Sequence, residues 1–200
     1  MSCPPLEVPT VRLVGVLVRL EPLSWAHLDG LCEVGLHPQV WRWASAQIET
    51  RDDMRGYLQT ALASAESGRE VPFATVEQSS GRVVGSTRYL AIERDHCRLE
   101  IGYTWVAPPW QGTGVNTEAK LLQLEHAFEH LGCHRVEFKT DSFNERSQRA
   151  LRGIGATEEG TFRNHMVTQG GRLRHSVYFS IIDSEWPAVK SRLQDRLGPR

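Results

Sequence analysis

Two glycines in the hexapeptide at positions 111–116 (QGTGVN) are the residues of this chain best suited to bind an anion. They follow a run typical of a β-strand, residues 99–106, and precede an amphipathic run that predicts a helix to Leu131. A loop of this kind turns backbone N–H groups toward one point, at the positive end of a helix. Gly112 and Gly114 lack the side chains that would keep an anion away, so the pattern predicts a phosphate or pyrophosphate cradle.

Two other phosphate-binding loops do not fit these residues. A Walker loop requires Gly-Lys followed by Ser or Thr, and the chain contains no such tripeptide. A dinucleotide-binding loop requires a third glycine where Thr117 stands, and Pro108-Pro109 interrupts the tight turn of that fold. The remaining alternative is a tight turn without a ligand, which two glycines alone do not exclude.

The elements around the loop indicate an α+β protein with a mixed sheet. The predicted strands are Val11–Leu20, Phe73–Glu77, Arg82–Ile92, Arg98–Val106, Arg135–Thr140, Thr161–Thr168 and Leu173–Ile182. Helices are expected after N-caps at Ser24 and Thr50, after the glycine loop, after Asn144, and from Ser184. The strands on either side of the loop helix are expected to be parallel if the crossover is right-handed. Gly170-Gly171 predicts a two-residue hairpin turn.

Composition and charge restrict the class of protein. The 200 residues are 40% hydrophobic and 24% charged with a net charge of −1, which suits one globular domain. We expect a short extension, residues 1–10, and a single domain over 11–200. No basic stripe argues for nucleic acid, and no run of 18 apolar residues argues for a membrane span.

The cysteines and the first residues bear on the compartment. The four cysteines are far apart, which suggests neither a zinc site nor a disulfide framework. The eight histidines show no metal-ligand spacing on a shared face. The N-terminal sequence lacks the pattern of a signal peptide, so a cytoplasmic protein without a bound metal is expected.

Taken together, the motifs resemble those of the GNAT acetyltransferase superfamily, in the branch of the ribosomal-protein N-terminal acetyltransferases. The resemblance extends from Val11 to about Leu197. The loop resembles the family signature Gln/Arg-x-x-Gly-x-Gly/Ala, except that its last position is Asn116, which could cap the helix or adopt a left-handed conformation. The other matching segments are Glu118-Ala119, Asn144-x-x-Ser147, Gly155-Ala156, Glu159-Gly160, Phe179-Ser180-Ile181-Ile182 and Glu185-Trp186.

The resemblance implies a fold and a donor. The fold would be a mostly antiparallel mixed sheet, flanked by helices, in which a central parallel pair of strands splays apart. The donor would be acetyl-CoA, with its pantetheine arm in a gap between Trp105–Val106 and Phe138–Thr140. The backbone amides that would hold its pyrophosphate belong to Gln111, Gly112, Thr113, Gly114, Val115 and Asn116. Asn144 and Ser147 match family positions that meet the pantetheine arm or the thiol.

The chemistry requires few side chains, because a thioester is already activated toward a neutral amine. A backbone N–H near Val106 could stabilise the developing negative charge, and Glu100 could accept the amine proton through water. Ser147 could protonate the leaving thiolate or orient the sulfur. Each residue also has a structural alternative: Glu100 as an ion-pair partner, Asn144 as an Asx turn, and Ser147 as a packed helical residue.

Acetyl transfer to a primary amine is therefore the leading hypothesis. A protein N-terminal α-amine is preferred over lysine, because its pKa of about 7.7–8.0 leaves more of it neutral than a lysine pKa of about 10.4. The alternatives are a small-molecule amine (polyamine, amino acid or antibiotic) and a non-catalytic CoA-binding sensor. Trp41 and Trp43 are expected to form a half-exposed wall that lines the substrate cleft. A monomer or homodimer is expected.

Overall fold

A computed structural model describes residues 5–198 and contains one eight-stranded sheet packed between helices. The strands are β1 (Leu13–Val14), β2 (Val18–Pro22), β3 (Val71–Glu77), β4 (Val83–Glu93), β5 (Arg98–Val106), β6 (Arg135–Asp141), β7 (Thr157–Val167) and β8 (Leu173–Ile182). The helices are α1 (Leu28–Gly35), α2 (Pro38–Trp41), α3 (Arg51–Glu66), α4 (Gly114–Glu125), α5 (Glu145–Ile154) and α6 (Trp186–Leu197). A π-helical turn, His126–His130, extends α4.

The strand order is β1-β2-β3-β4-β5-β6-β8-β7, and every neighbouring pair is antiparallel except β5 and β6. The parallel pair is joined through α4, as the crossover predicted. The mixed, mostly antiparallel sheet with one central parallel pair confirms the expected fold class.

The parallel pair separates after three residues. Pairing between β5 and β6 runs from Arg98 opposite Arg135 to Glu100 opposite Glu137, and then stops. Beyond that point β5 contains a β-bulge opposite β4, with Tyr103 at a positive φ of 47°. A bulge bends its strand and increases its twist. The carboxyl-terminal halves of the two strands therefore enclose a gap, as predicted.

Two hydrophobic cores lie on opposite faces of the sheet. The first core lies under α4, α5 and α6 and includes Leu99, Phe138 and Phe179. The second core lies under α1, α2 and α3; of these, α1 contacts β4 and α3 contacts β3. Side chains alternate along a strand, so β6 and β8 present polar residues on the face opposite the first core. We call this set the polar face; it comprises Glu137, Lys139, Asp141, Arg174, Ser176 and Tyr178.

Local sequence signals fix several element boundaries. Thr50 and Asp53 form a capping box at the start of α3: the Asp53 N–H donates to Thr50 Oγ1 at 3.1 Å, and the Thr50 N–H donates to Asp53 Oδ2 at 2.9 Å. Gly132, which follows the α4 extension, has a positive φ of 72° that glycine adopts without strain. Both features were predicted from the sequence.

Other boundaries differ from those predicted. The single strand expected over Val11–Leu20 is two short strands, because Gly15 lies in a turn between them. The strand expected over Thr161–Thr168 is β7, which begins four residues earlier. Its hairpin turn is a three-residue loop, because the Thr168 N–H donates to the Arg172 carbonyl. Helix α2 was not predicted, and Ser184 lies in a 3₁₀ turn before α6.

The first described residues contribute to the core, since Leu6 is buried in the first core. The domain boundary predicted at residue 10 stays a prediction. Cys32 and Cys133 carry free thiols, whereas Cys97 is disulfide-bonded, which the cysteine spacing did not predict. No helix within residues 5–198 has the length and apolar character needed to cross a membrane.

Candidate active site

The glycine loop has the geometry of an anion cradle. Gly112 has a positive φ of 80°, and Thr113 is the N-cap of α4, where its Oγ1 accepts from the Val115 N–H at 3.3 Å. The hydrogen bonds of residues 5–198 leave the N–H groups of Gly112 and Gly114 unused. Unpaired N–H groups at a helix N-terminus attract anions. The loop therefore fits a phosphate group.

Gly114 also lies in close contact with a neighbouring turn. A Cβ atom at this position would lie 2.5 Å from Cδ1 of Leu17. Leu17 belongs to the turn between β1 and β2, and the buried Glu118 carboxylate holds this turn by accepting from the N–H groups of Val16, Leu17 and Val18 at 2.6–2.9 Å. Glu118 thus anchors the turn against α4 beside the cradle.

Asn116 has neither of the two roles expected for it. Thr113 caps α4 instead, and Asn116 is the third residue of the helix, without a positive φ. The departure from the family signature therefore leaves the backbone of the loop helical from Gly114 onward. Any effect of Asn116 on anion binding must therefore come from its side chain, which is half-buried.

The gap between β5 and β6 exposes one backbone donor. The Ala107 N–H donates to the Val84 carbonyl on β4 at 2.8 Å. Because N–H directions alternate along an antiparallel pair, the Val106 N–H points away from β4, into the gap. The Val106 carbonyl already accepts from Nε2 of Gln111 at 2.6 Å. Arg146, in the first turn of α5, donates to Oε1 of the same Gln111. Sequence reasoning missed Arg146, although it stands inside the Asn144-x-x-Ser147 motif.

Glu100 lies where the two strands begin to separate. It is only 3% exposed, and its Oε2 accepts from Nζ of Lys139 at 2.7 Å. Burial raises the pKa of the Glu100 carboxyl above its ordinary value, although the Lys139 ammonium opposes the shift. A buried carboxylate with a raised pKa is suited to accept a proton near neutral pH. Lys139, which follows 39 residues later, was not identified from the sequence.

Asn144 and Ser147 lie on the other side of the gap, where β6 passes into α5. Oδ1 of Asn144 accepts from the Ser147 N–H at 3.1 Å and caps the helix, which is a structural role other than the expected Asx turn. Within residues 5–198, no hydrogen bond involves the Ser147 hydroxyl, and this side chain is half-buried. Ser147 is therefore able to donate to a ligand in the gap.

The two tryptophans expected to form one wall have different environments. Trp41 is 6% exposed, its ring centroid lies 5.4 Å from that of Trp105, and its Nε1 donates to the Gly35 carbonyl. The expectation of a half-exposed Trp41 is wrong, because this side chain belongs to the second core. Trp43 is half-buried and packs against Phe143, with ring centroids 6.0 Å apart. Of the pair, only Trp43 is half-exposed as expected, and its contact with an acceptor stays a prediction.

A buried lysine lies beneath the β5 bulge. Lys120 on α4 is 4% exposed, and its Nζ donates to Oγ1 of Thr104 at 2.8 Å and to Oε1 of Gln123 at 3.1 Å. No acidic side chain of the described part of the chain pairs with it. Burial therefore lowers the pKa of Lys120 to about 7. Lys120 was not identified from the sequence, because only the fold shows it under the bulge.

The residues described here offer no group of three or more His, Cys, Asp or Glu side chains arranged around a common metal position. What they offer is an anion cradle at a helix N-terminus, next to a gap with a free backbone donor, a buried carboxylate and a free hydroxyl. This combination suits acyl transfer from a donor that carries a pyrophosphate.

Comparison with known proteins agrees with this class. A family model described as an acetyltransferase (GNAT) domain matches residues 18–157, so the chain belongs to the GNAT acetyltransferase family. It is an acyltransferase enzyme of the family that uses acetyl-CoA. The family predicted from the motifs is confirmed.

Individual relatives agree with the family and the predicted branch. An uncharacterized N-acetyltransferase of Bacillus licheniformis, p20, is 25% identical over 170 residues, which cover 84% of this chain and 94% of p20. YdaF of Bacillus subtilis (strain 168), whose name marks it as a candidate ribosomal N-acetyltransferase, is 32% identical over 111 residues, 55% of this chain and 59% of YdaF. The crystal structure of a GCN5-related N-acetyltransferase from Brucella melitensis superposes with a TM-score of 0.90 at 33% identity, covering 98% of this chain and 90% of that one.

Proposed function

We propose that this enzyme transfers the acetyl group of acetyl-CoA to a primary amine in the cytoplasm, with a protein N-terminal α-amine as the preferred acceptor. The single observation that carries the proposal is the end of the β5–β6 pairing at Glu100 and Glu137, directly beside a loop with unused N–H groups. One ligand with an anionic end and an extended arm fits both features.

In this proposal, the backbone amides of residues 111–116 bind the pyrophosphate, and Arg146 adds positive charge at the mouth of the gap. The backbone of Trp105 and Val106 on one side, and Asn144 and Ser147 on the other, hold the pantetheine arm. When bound, acetyl-CoA supplies an activated thioester.

The remaining steps belong to side chains and amides of this chain. The Val106 N–H donates to the thioester oxygen, where negative charge develops during attack. Glu100 accepts the proton that the amine loses, through a water molecule, because its carboxylate is buried against Lys139. The Ser147 hydroxyl donates a proton to the leaving sulfur or orients it.

The acceptor approaches from the polar face, because α4 and α5 cover the opposite face of the gap. Trp43 and Phe143 border this approach. A protein α-amine is favoured over lysine because more of it is neutral at pH 7, which suits a site with one carboxylate base.

The test is a panel of amines incubated with acetyl-CoA and the purified protein. It contains peptides with a free α-amine, the same peptides with a blocked α-amine and a free lysine, polyamines, amino acids and aminoglycosides. Products are mapped by mass spectrometry. We expect acetylation of the free α-amine. Acetylation confined to lysine or to small molecules would overturn the acceptor preference, and acetylation of none would contradict the proposed transfer.

A further inference from the structure

Arg174 on β8 is a buried cation that makes no side-chain hydrogen bond to the residues from 5 to 198 through its Nε. The residue is only 7% exposed. The carboxylate that pairs with it is Asp141, whose Oδ2 lies 3.9 Å from that Nε, beyond hydrogen-bond range. Burying a guanidinium costs free energy unless hydrogen bonds replace the lost water.

Arg172, two residues earlier, shares the same carboxylate. Its Nη2 bonds to Oδ2 of Asp141, while its Nη1 is buried without a hydrogen-bond partner. The Arg172 guanidinium also lies over the rings of Trp43 and Phe143, at 5.9 and 5.5 Å. One carboxylate therefore serves two guanidinium groups, and each keeps at least one buried N–H unused.

The charges around this pair sum to an excess of positive charge. Lys139 and Glu100 balance each other through their 2.7 Å ion pair. Arg172 and Arg174 face the single negative charge of Asp141. The net charge of these five groups is therefore +1. Burial and the two cations Lys139 and Arg174 lower the pKa of His165, which disfavours a further positive charge there.

The arginines stand on the acceptor's side of the gap. Arg174, Asp141 and Lys139 belong to the polar face, whereas the glycine loop leads into α4 on the opposite face. The β7–β8 hairpin closes over this region, since the Gln169 N–H donates to the Ser45 carbonyl at 2.9 Å and Oε1 of Gln169 accepts from the Gln47 N–H at 2.6 Å. The unused guanidinium donors therefore belong to a partly enclosed acceptor site and not to the site of the CoA phosphates.

We infer that the acceptor carries a carboxylate in the same molecule as its amine, and that Arg174 and Arg172 bind this carboxylate. The inference rests on the proposed function and specifies the substrate class of that site. Hydrogen bonds between a guanidinium and a carboxylate are charge-assisted and strong, which suits the unused Nε–H of Arg174 and Nη1–H of Arg172, one donor on each residue. The excess positive charge disfavours a polyamine, whose further ammonium groups would be repelled.

Matched acceptor pairs test this inference. In the first pair, a C-terminally amidated Ser-Asp-Ala peptide is compared with its Ser-Asn-Ala counterpart, so that only a side-chain carboxylate differs. In the second pair, free serine is compared with serinamide; because loss of the α-carboxylate also lowers the pKa of the α-amine, kcat/KM is expressed for each compound per neutral amine. We expect kcat/KM to be about 10- to 100-fold higher for the carboxylate member of at least one pair. The pair that shows the ratio identifies the source of the carboxylate.

Variants assign the preference to these residues. We expect Arg174→Gln to bring the ratio close to one and Arg172→Gln to reduce it. Arg55→Gln, on the exposed surface of α3, should keep the wild-type ratio. Arg174→Lys keeps the charge without the planar fork and should give an intermediate ratio. Circular dichroism and CoA affinity establish whether each variant is folded.

The outcomes separate the two proposals. Equal kcat/KM within both pairs for the wild-type enzyme would overturn the carboxylate inference and leave acetyl transfer standing. A preference that Arg174→Lys and Arg172→Gln leave unchanged would overturn the role of the arginines, even if Arg174→Gln does not fold. Failure to acetylate any amine would contradict the proposed function instead.

Discussion

Nζ of Lys139 lies 2.7 Å from Oε2 of Glu100, at the point where β5 and β6 stop pairing. The two residues are close although they are 39 apart in sequence, because β5 and β6 are neighbours: Glu137 is opposite Glu100, and Lys139 follows Glu137 by two residues on the same face of β6. The ion pair keeps a carboxylate ionised at a buried position next to the gap. The pKa of Glu100, and therefore its strength as a base, depends on Lys139.

We predict that Glu100→Gln lowers kcat by about 10²- to 10⁴-fold while CoA affinity is retained, because the variant keeps the shape of the side chain but cannot accept a proton. Steady-state kinetics with one α-amine peptide, together with CoA titration, measures both effects. Glu137→Gln is the matched control, since Glu137 is opposite Glu100 in the sheet but bonds to Arg98 and Arg135. Equal losses in the two variants would show that Glu100 has no specific role.

The pH profile provides a second prediction. Burial raises the pKa of Glu100, so the rate should fall as the pH decreases through this raised value, where the base becomes protonated. Lys139→Met removes the ammonium that favours the charged carboxylate, so the acidic limb should move to higher pH. The same peptide is used for the wild type and the variant, so that the titration of the peptide's own amine contributes equally to both pH profiles. An acidic limb that stays in place in Lys139→Met would contradict the coupling.

Ser147→Ala tests the hydroxyl that has no hydrogen bond in the described chain. If the hydroxyl protonates the leaving sulfur, kcat should fall by about 10²-fold or more with little change in CoA affinity. Ser142→Ala, at the end of β6, is the control. A Ser147→Ala enzyme with wild-type kcat but a raised KM would show that the residue only contacts the bound donor.

Lys120 makes a prediction about stability. Its pKa is about 7 in the folded protein and about 10.4 in an unfolded chain, so between these values the unfolded state binds the additional proton. The free energy of unfolding of the wild type should therefore rise with pH relative to Lys120→Met, by up to about 1.4 kcal/mol per pH unit. Urea unfolding at about pH 7.5, 8.5 and 9.5 measures the difference in the free energy of unfolding between the wild type and Lys120→Met. These pH values are about evenly spaced between the folded and unfolded pKa values of Lys120.

Lys190→Met is the matched control, because Lys190 pairs with Glu125 and Glu129 and its pKa is raised. This control should show no such pH dependence over the same range, since Lys190 is charged in both states. A difference between wild type and Lys120→Met that does not change with pH would indicate that Lys120 is charged in the folded protein throughout.

Sequence reasoning succeeded where the determinants are local. The Thr50–Asp53 capping box depends on residues three apart, and the end of the α4 extension depends on one glycine, Gly132. The fold class could be predicted because short-range hydrophobic periodicity identifies the strands and helices, and so their order along the chain.

It failed where a distant partner decides the structure. Glu118 holds the β1–β2 turn from about 100 residues away, which divides the expected first strand. Trp41 and Trp43 are two residues apart, and only the packing of Trp105 against Trp41 shows which of them is buried. Arg172 and Arg174 belong to no recognisable sequence motif. Their unused N–H groups can be identified only once the pairing of β8 with β6 is known.

Calorimetric titration with CoA tests most directly whether the glycine loop and the gap hold the donor. We expect the wild-type protein to bind CoA, and Gly114→Leu to lose most of this affinity, because its side chain would obstruct the approach of the pyrophosphate to the cradle; its Cβ would also crowd Cδ1 of Leu17, which affects packing. Gly170→Leu, in the open turn of the β7–β8 hairpin, should bind as the wild type does. Adding Leu17→Ala to Gly114→Leu should restore stability but not affinity. Wild-type protein that gives no heat with millimolar CoA, or a Gly114→Leu protein with full affinity, would contradict the central claim.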